Sequence, residues 1–173
     1  MTSHYRAALP IAYVVLRTLV VLNWAYGAAI LVLLLMMPHE QWIMSVFKLT
    51  PGPAADRTIM GLQLIAVLGL AAIPLNHGIL TRLLAIVDTV RGGDPFVAQN
   101  AYRLQATAWR LLALQLLSIL IGGIGKAIST PEAPVHLSAG FSIAGWVAVL
   151  VTFILARVFA EGTVMRDELE GIL

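Results

Sequence analysis

A chain of 173 residues that is 60% apolar, only 12% charged and has a mean hydropathy of +0.89 is not a soluble globular domain, in which charged residues make up about a quarter of the total. Without cysteine it has no disulfide, no thiolate nucleophile and no cysteine-ligated metal or cluster. The net charge of +2 and the pI of 9.3 come from arginines beside apolar runs and not from a clustered basic face, so direct nucleic-acid binding is not expected.

The apolar residues fall into runs long enough for transmembrane helices of ~20 residues. The sequence therefore predicts an all-α, integral membrane four-helix bundle forming a single domain over residues 1–173. Its transmembrane helices are expected at about 10–37, 57–74, 104–124 and 138–160, with a cytoplasmic hairpin over 75–103 and a cytoplasmic tail over 157–173. The first run exceeds the core of a signal peptide and no small-x-small cleavage site follows it, so it is expected to be retained.

The first helix is expected to begin near Ala7, with Pro10 in its first turn, where a missing N–H costs nothing, and to end at Pro38. Arg17 interrupts it about 30 Å from Pro38, at 1.5 Å per residue, near enough to the boundary for its guanidinium to snorkel. Trp42, Ile43, Val46 and Phe47 have the spacing of a short interfacial amphipathic helix, which Pro51-Gly52-Pro53 breaks. The second helix carries Gln63 as its buried amide and meets Pro74, which cannot donate to the Leu70 carbonyl and is expected to kink it. From Leu75 to Val90, apolar positions such as Ile79, Leu83 and Val87 oppose Thr81, Arg82, Asp88 and Thr89, an amphipathic extension of the helix.

Gly92-Gly93 reads as a helix stop and Asp94-Pro95 as the next start, with Asp94 as N-cap and Pro95 at the first helical position. The third helix is expected from Pro95 to about Ile121, closed by Gly122-Gly123-Ile124-Gly125-Lys126. The last is expected from about Ser138 through Ala156 and, with no breaker, on to Leu169. In the tail Glu161, Asp167, Glu168 and Glu170 outnumber Arg157 and Arg166, giving it a net charge of −2. Arg6, Arg17, Arg82, Arg91, Arg103, Arg110, Arg157 and Arg166 fall on the side of the termini and hairpin, against Lys48, Arg57 and Lys126 on the other, which puts both termini in the cytoplasm.

Ionisable and amide side chains inside apolar spans mark functional positions by default, because leaving them unpaired in lipid is costly. Arg17, Gln63, Arg110, Gln115, Arg157 and Glu161 are the expected intramembrane polar cluster, with Asn23 a further amide. Arg110 lies about 21 Å along its helix from the end of the span at the far side, and Glu161 is one turn from Arg157 and set to pair with it. The commoner role for such arginines is to snorkel and fix orientation.

His39, Glu40, Glu132 and His136 share the outer side but have no ligand spacing, so no metal site is expected. The stretch up to Ser129 fails the phosphate-loop pattern, with Leu120 at the first glycine position and Ala127 after the lysine. No nucleophile–base or paired-carboxylate arrangement is present, so neither an enzyme nor a cofactor is expected. Gly140, Ala144 and Ala148 offer a small-residue face for close helix approach, within the bundle or between copies in a homo-oligomer.

Two blocks carry a resemblance: Gly93-Asp94-Pro95-Phe96, Asn100-Ala101, Arg103-Leu104, Trp109 and Gln115 in the first, and Leu155-Ala156-Arg157-Val158-Phe159, Glu161-Gly162 and Arg166 to Gly171 in the second. Together they resemble the DUF2975 family of bacterial four-helix membrane proteins, over nearly the whole chain. Members are often encoded beside a small Xre-type helix-turn-helix regulator. The resemblance implies a bacterial inner-membrane protein that binds or restrains such a regulator, and Asn100, Arg103, Arg166, Asp167, Glu168 and Glu170 are the expected partner-binding residues. Competing expectations are a small transporter or channel subunit using Arg110, Gln115, Gln63 and Asn23, and a structural accessory subunit of a membrane complex.

Overall fold

The computed structural model describes residues 3–36, 52–129 and 138–170. Among them the chain forms four long α-helices: α1 (Ser3–Met36), α2 (Pro53–Arg91), α3 (Ala98–Ile128) and α4 (Ile143–Glu170). The fold is all-α. Each helix contains a stretch long and apolar enough to cross a bilayer: Leu9–Met36, Ala55–Arg91, Ala98–Ile128 and Ile143–Arg166. Their apolar side chains point outward along the whole length; Val21, Leu35, Met60 and Ile143 are 65%, 68%, 71% and 73% exposed. Water does not tolerate so continuous an apolar surface, whereas lipid does. In lipid, helices are favoured because they satisfy their backbone groups internally, and the chain is a multi-pass membrane protein.

Several boundaries differ from those the sequence predicts. α1 begins at Ser3, so Pro10 lies inside the helix and not in its first turn. α2, by contrast, continues through Pro74 to Arg91, matching the expected extension over Leu75 to Val90. α3 starts at Ala98 and not at Pro95, and it runs through the glycines of 122–125 to Ile128. α4 starts at Ile143 and not near Ser138, which removes Gly140 from any small-residue helical face with Ala144 and Ala148. The interfacial helix expected around Trp42–Phe47 lies outside the described residues, as do His39, Glu40, Glu132 and His136.

The chain divides into two compact units. One comprises Trp24–Pro74 and Leu114–Ser142. Its buried apolar residues are Ala55, Ile59, Ile73 and Ile128, with Thr58 among them. Glycines set its closest approaches. A Cβ on Gly122 would lie 2.6 Å from the Ala139 carbonyl oxygen and 2.8 Å from the Gly140 Cα, and one on Gly61 would lie 2.4 Å from Ile128 Cγ2. The 138–142 segment is held beside α3 by Ser118, whose hydroxyl donates to the Gly140 carbonyl (3.2 Å) and accepts from the Gly140 N–H (3.1 Å). Gly140 has φ +141°, a conformation that other residues rarely adopt. That conformation and the paired bonds to Ser118 explain why helix α4 cannot extend back to Ser138.

The other unit comprises Met1–Asn23, Leu75–Ala113 and Ile143–Leu173. Ile79, Leu104, Ala108, Val149 and Ala156 are its buried apolar residues. Trp109 and Phe153 meet edge-to-face at 5.3 Å, a favoured aromatic geometry. The buried threonines Thr107 and Thr163 donate back to the carbonyls of Arg103 and Phe159, each at 2.8 Å, so neither leaves a polar group unpaired. This unit contains the hairpin and the tail.

Candidate interaction site at the hairpin and tail

The turn from α2 to α3 begins with a helix stop of defined geometry. Gly93 N–H donates to the Val90 carbonyl at 3.1 Å and Asp94 N–H to the Thr89 carbonyl at 3.1 Å, while Gly93 takes φ +87°. That double bond pattern around a left-handed residue is the Schellman motif. It places Asp94 immediately past the helix, and Pro95, Phe96 and Val97 follow in non-helical backbone.

Asp94 does not act as the N-cap of α3. Its carboxylate instead accepts from the Arg166 guanidinium near the end of α4. Three non-helical residues separate it from Ala98, beyond the reach of a capping side chain. Beside that pair, the Phe96 ring lies 5.4 Å from the Phe159 ring and presses on Gly162, where a Cβ would be 2.9 Å from Phe96 Cδ1. The hairpin therefore seats an aromatic ring in a notch that only glycine leaves open. Ion pair and aromatic contact differ in weight. With its side chains 42% and 43% exposed, the Asp94–Arg166 pair contributes below about 1 kcal/mol, whereas an aromatic pair adds roughly 0.5–1.5 kcal/mol beyond the area it buries.

Asn100 organises the inside of the turn. It is 0% exposed, donates from Nδ2 to Thr89 Oγ1 (2.7 Å) and to the Pro95 carbonyl (2.9 Å), and accepts from Arg103 (2.9 Å) through Oδ1. Arg103 also donates to Gln99 Oε1 (3.1 Å) and to the Ala85 carbonyl (3.3 Å), tying α3 to α2. Arg91 stacks 5.2 Å from the Tyr13 ring centroid of α1. On α4, Arg157 and Glu161 are joined at 2.7 Å, and a groove of about 370 Å³ runs between Ala156, Arg157 and Ala160 of α4 and Ala101, Tyr102 and Gln105 of α3.

The expected partner-binding residues thus have distinct positions. Asn100, Arg103 and Arg166 are engaged within the protein: Asn100 is fully buried and both arginines bond to neighbouring elements. Glu168 is exposed on α4. Asp167 and Glu170 lie on α4, and their side chains are outside the description. Of the expected intramembrane set, Arg157 meets Glu161, while Arg17 is exposed on α1 beside Tyr13 and Thr18. Arg110 donates to the Ala106 carbonyl one turn back on its own helix (3.1 Å). Gln63 and Gln115 belong to the other unit, where Gln115 Oε1 is buried with no hydrogen-bond partner among the described residues.

Three groups were absent from the sequence-derived set: Thr89, Phe96 with its Gly162 notch, and Asp94 as an ion-pair partner. The first two required knowing that α2 and α4 flank the turn. Among the described residues no three His, Asp or Glu side chains converge to hold a metal ion. Comparison of the chain with family models, with curated proteins and with solved structures found no match.

Proposed function

We propose that the protein is a membrane-bound regulatory module of the bacterial inner membrane, with both termini in the cytoplasm, and that its hairpin and tail hold a cytoplasmic helix-turn-helix regulator, as the resemblance to the DUF2975 family implies. The observation that carries this reading is the seating of Phe96 and Asp94 on Phe159, Gly162 and Arg166. A polar turn and the acidic end of α4 come together in the arginine-rich unit. Eight of the chain's eleven basic residues belong to the unit with the hairpin and tail, which supports the cytoplasmic orientation.

Contact with a basic DNA-binding partner would come from exposed acids on α4, Glu161 and Glu168, together with Asp167 and Glu170. Opposite charge steers such an encounter and fixes its register. A change in the bundle that unseats Phe96 would separate the hairpin from that acidic surface and alter the grip on the partner. The test is membrane recruitment of an Xre-type helix-turn-helix regulator co-produced with this chain, measured by fractionation. Charge reversal at Asp167, Glu168 and Glu170 together is expected to move the regulator to the soluble fraction; undiminished recruitment rejects the docking surface.

A further inference from the structure

Arg82 on α2 and Arg110 on α3 converge on one residue. Arg82 donates to the Gly78 carbonyl at 3.0 Å, and Arg110 lies against Gly78 itself: a Cβ there would be 2.5 Å from Arg110 Nε and 3.2 Å from its Cζ. The two cations are near enough to act on each other electrostatically, and Tyr102 acts on Arg110 as well. Neither guanidinium meets a carboxylate among the described residues; the ion pairs there belong to Arg91, Arg157 and Arg166. Each has one bond to a carbonyl of its own helix, which leaves most of its five N–H groups available.

Their depth is set by the sequence. No charged residue lies between Arg57 and Arg82 on α2 or between Arg110 and Lys126 on α3. Sixteen steps of 1.5 Å separate Arg110 from Lys126, about 24 Å, close to the thickness of the hydrocarbon layer. Arg82 and Arg110 therefore stand where the apolar span ends, at the level of lipid phosphates. Beside Arg110 opens a groove of about 520 Å³ lined by Leu75, Tyr102, Gln105, Ala106 and Trp109, a size that falls in the roughly 300–1,000 Å³ range of small-molecule sites. Trp109 and Tyr102 are exposed, and such aromatic side chains favour the headgroup level.

A guanidinium, a tyrosine hydroxyl and an amide lining an open groove, with the second guanidinium of Arg82 close behind Arg110 at Gly78, fit one chemistry, an anion with several acceptor oxygens that neutralises both cations. Basic pockets between transmembrane helices hold anionic headgroups in this way. We propose that Arg82 and Arg110 bind the phosphodiester of an anionic phospholipid, with Tyr102 and Gln105 facing its headgroup and Leu75, Ala106 and Trp109 its glycerol and first acyl carbons. The occupant is a lipid and not free phosphate, because the groove wall beyond Arg110 is apolar and the site lies at the end of membrane-spanning helices.

Native mass spectrometry of the full-length protein released from micelles containing equal amounts of phosphatidylglycerol and phosphatidylcholine tests this. Retention of phosphatidylglycerol over phosphatidylcholine is expected. The R82Q/R110Q double variant is expected to lower that retention about tenfold or more, since a hydrogen bond to a charged group is worth roughly one such factor, while R57Q leaves it unchanged. Equal retention of the two lipids, undiminished retention by the double variant, or displacement of phosphatidylglycerol by millimolar inorganic phosphate would each overturn the proposal. Should the double variant fail to fold, a headgroup photolabelled phosphatidylglycerol on the wild-type protein gives the answer. Adducts within residues 75–113 are expected, and adducts confined to other segments reject the site.

Discussion

Asn100 is an amide enclosed entirely by protein in a chain whose apolar residues mostly face outward. Three hydrogen bonds join it to Thr89, Pro95 and Arg103, so it connects the last turn of α2, the non-helical turn and the first turn of α3. Asn100→Ala removes all three and leaves the Thr89 hydroxyl and the Arg103 guanidinium without this partner. At about 1 kcal/mol for each of the three lost bonds, with an added desolvation cost, a loss of about 3–4 kcal/mol is expected. Thermal unfolding of the purified protein in detergent micelles measures it. Asn100→Asp keeps the acceptor for Arg103 and forfeits the two donated bonds, and is expected to fall between wild type and the alanine variant. The resemblance picked out Asn100 and Arg103 among the polar residues of the hairpin arm. It assigned them outward, to a partner, because polarity alone does not reveal that Thr89 and a free carbonyl wait eleven and five residues upstream. The Arg157–Glu161 pair, by contrast, was legible, since a four-residue separation on one helix fixes the contact without any knowledge of tertiary structure.

At the scale of elements, helix count and approximate position follow from the hydrophobic runs, while four helix ends do not. At the end of α3 and the start of α4 a residue's local signal gives way to packing. Gly122 and Gly125 have the composition of a stop, yet both are buried within α3, and Gly122 admits the backbone of Ala139 and Gly140 at a distance no other residue permits. Gly93, which meets no such approach, does act as the expected stop, with φ +87° and nothing within 4 Å of where a Cβ would lie. These two glycines therefore fail in different ways when replaced by alanine. Gly93→Ala meets only the backbone penalty of the left-handed region, about 1–2 kcal/mol. Gly122→Ala forces a methyl group into backbone atoms that cannot rotate away, an overpacking cost of about 1–3 kcal/mol or more. Comparative melting in one detergent is expected to rank Gly122→Ala as the more destabilising of the pair. The reverse order would mean that the 138–142 segment yields more easily than its bonds to Ser118 imply.

For the molecule as a whole, the scarcity of charge in the spans and the outward display of apolar side chains fix the membrane environment; no single contact is needed for that conclusion. What composition leaves open is which charged residues serve the protein's own structure and which serve a partner. Asp94, Arg103 and Arg166 belong to the first group by their bonds. Arg82 and Arg110 have no carboxylate among the described residues and remain open to an external anion. Glu161 pairs with Arg157 at 59% exposure, weakly enough to exchange it for another cation.

The unbroken course of α4 has one more consequence. Its 28 residues, from Ile143 to Glu170, form a rod about 42 Å long, and nothing within it can absorb a rotation. The angular phase of Arg166 is therefore dictated by how Val149 and Ala156 are packed far below it. A single alanine inserted after Ala156 would turn everything beyond it by about 100°, swinging Phe159 off Phe96 and Arg166 off Asp94. Seven inserted residues, close to two full turns, would restore the bearing while raising the tail by about 10 Å. Amide hydrogen exchange at the 92–97 turn is expected to speed up with either insertion. A turn that stayed equally protected after the one-residue insertion would show that the hairpin holds its shape without α4 and that the rod transmits nothing to it.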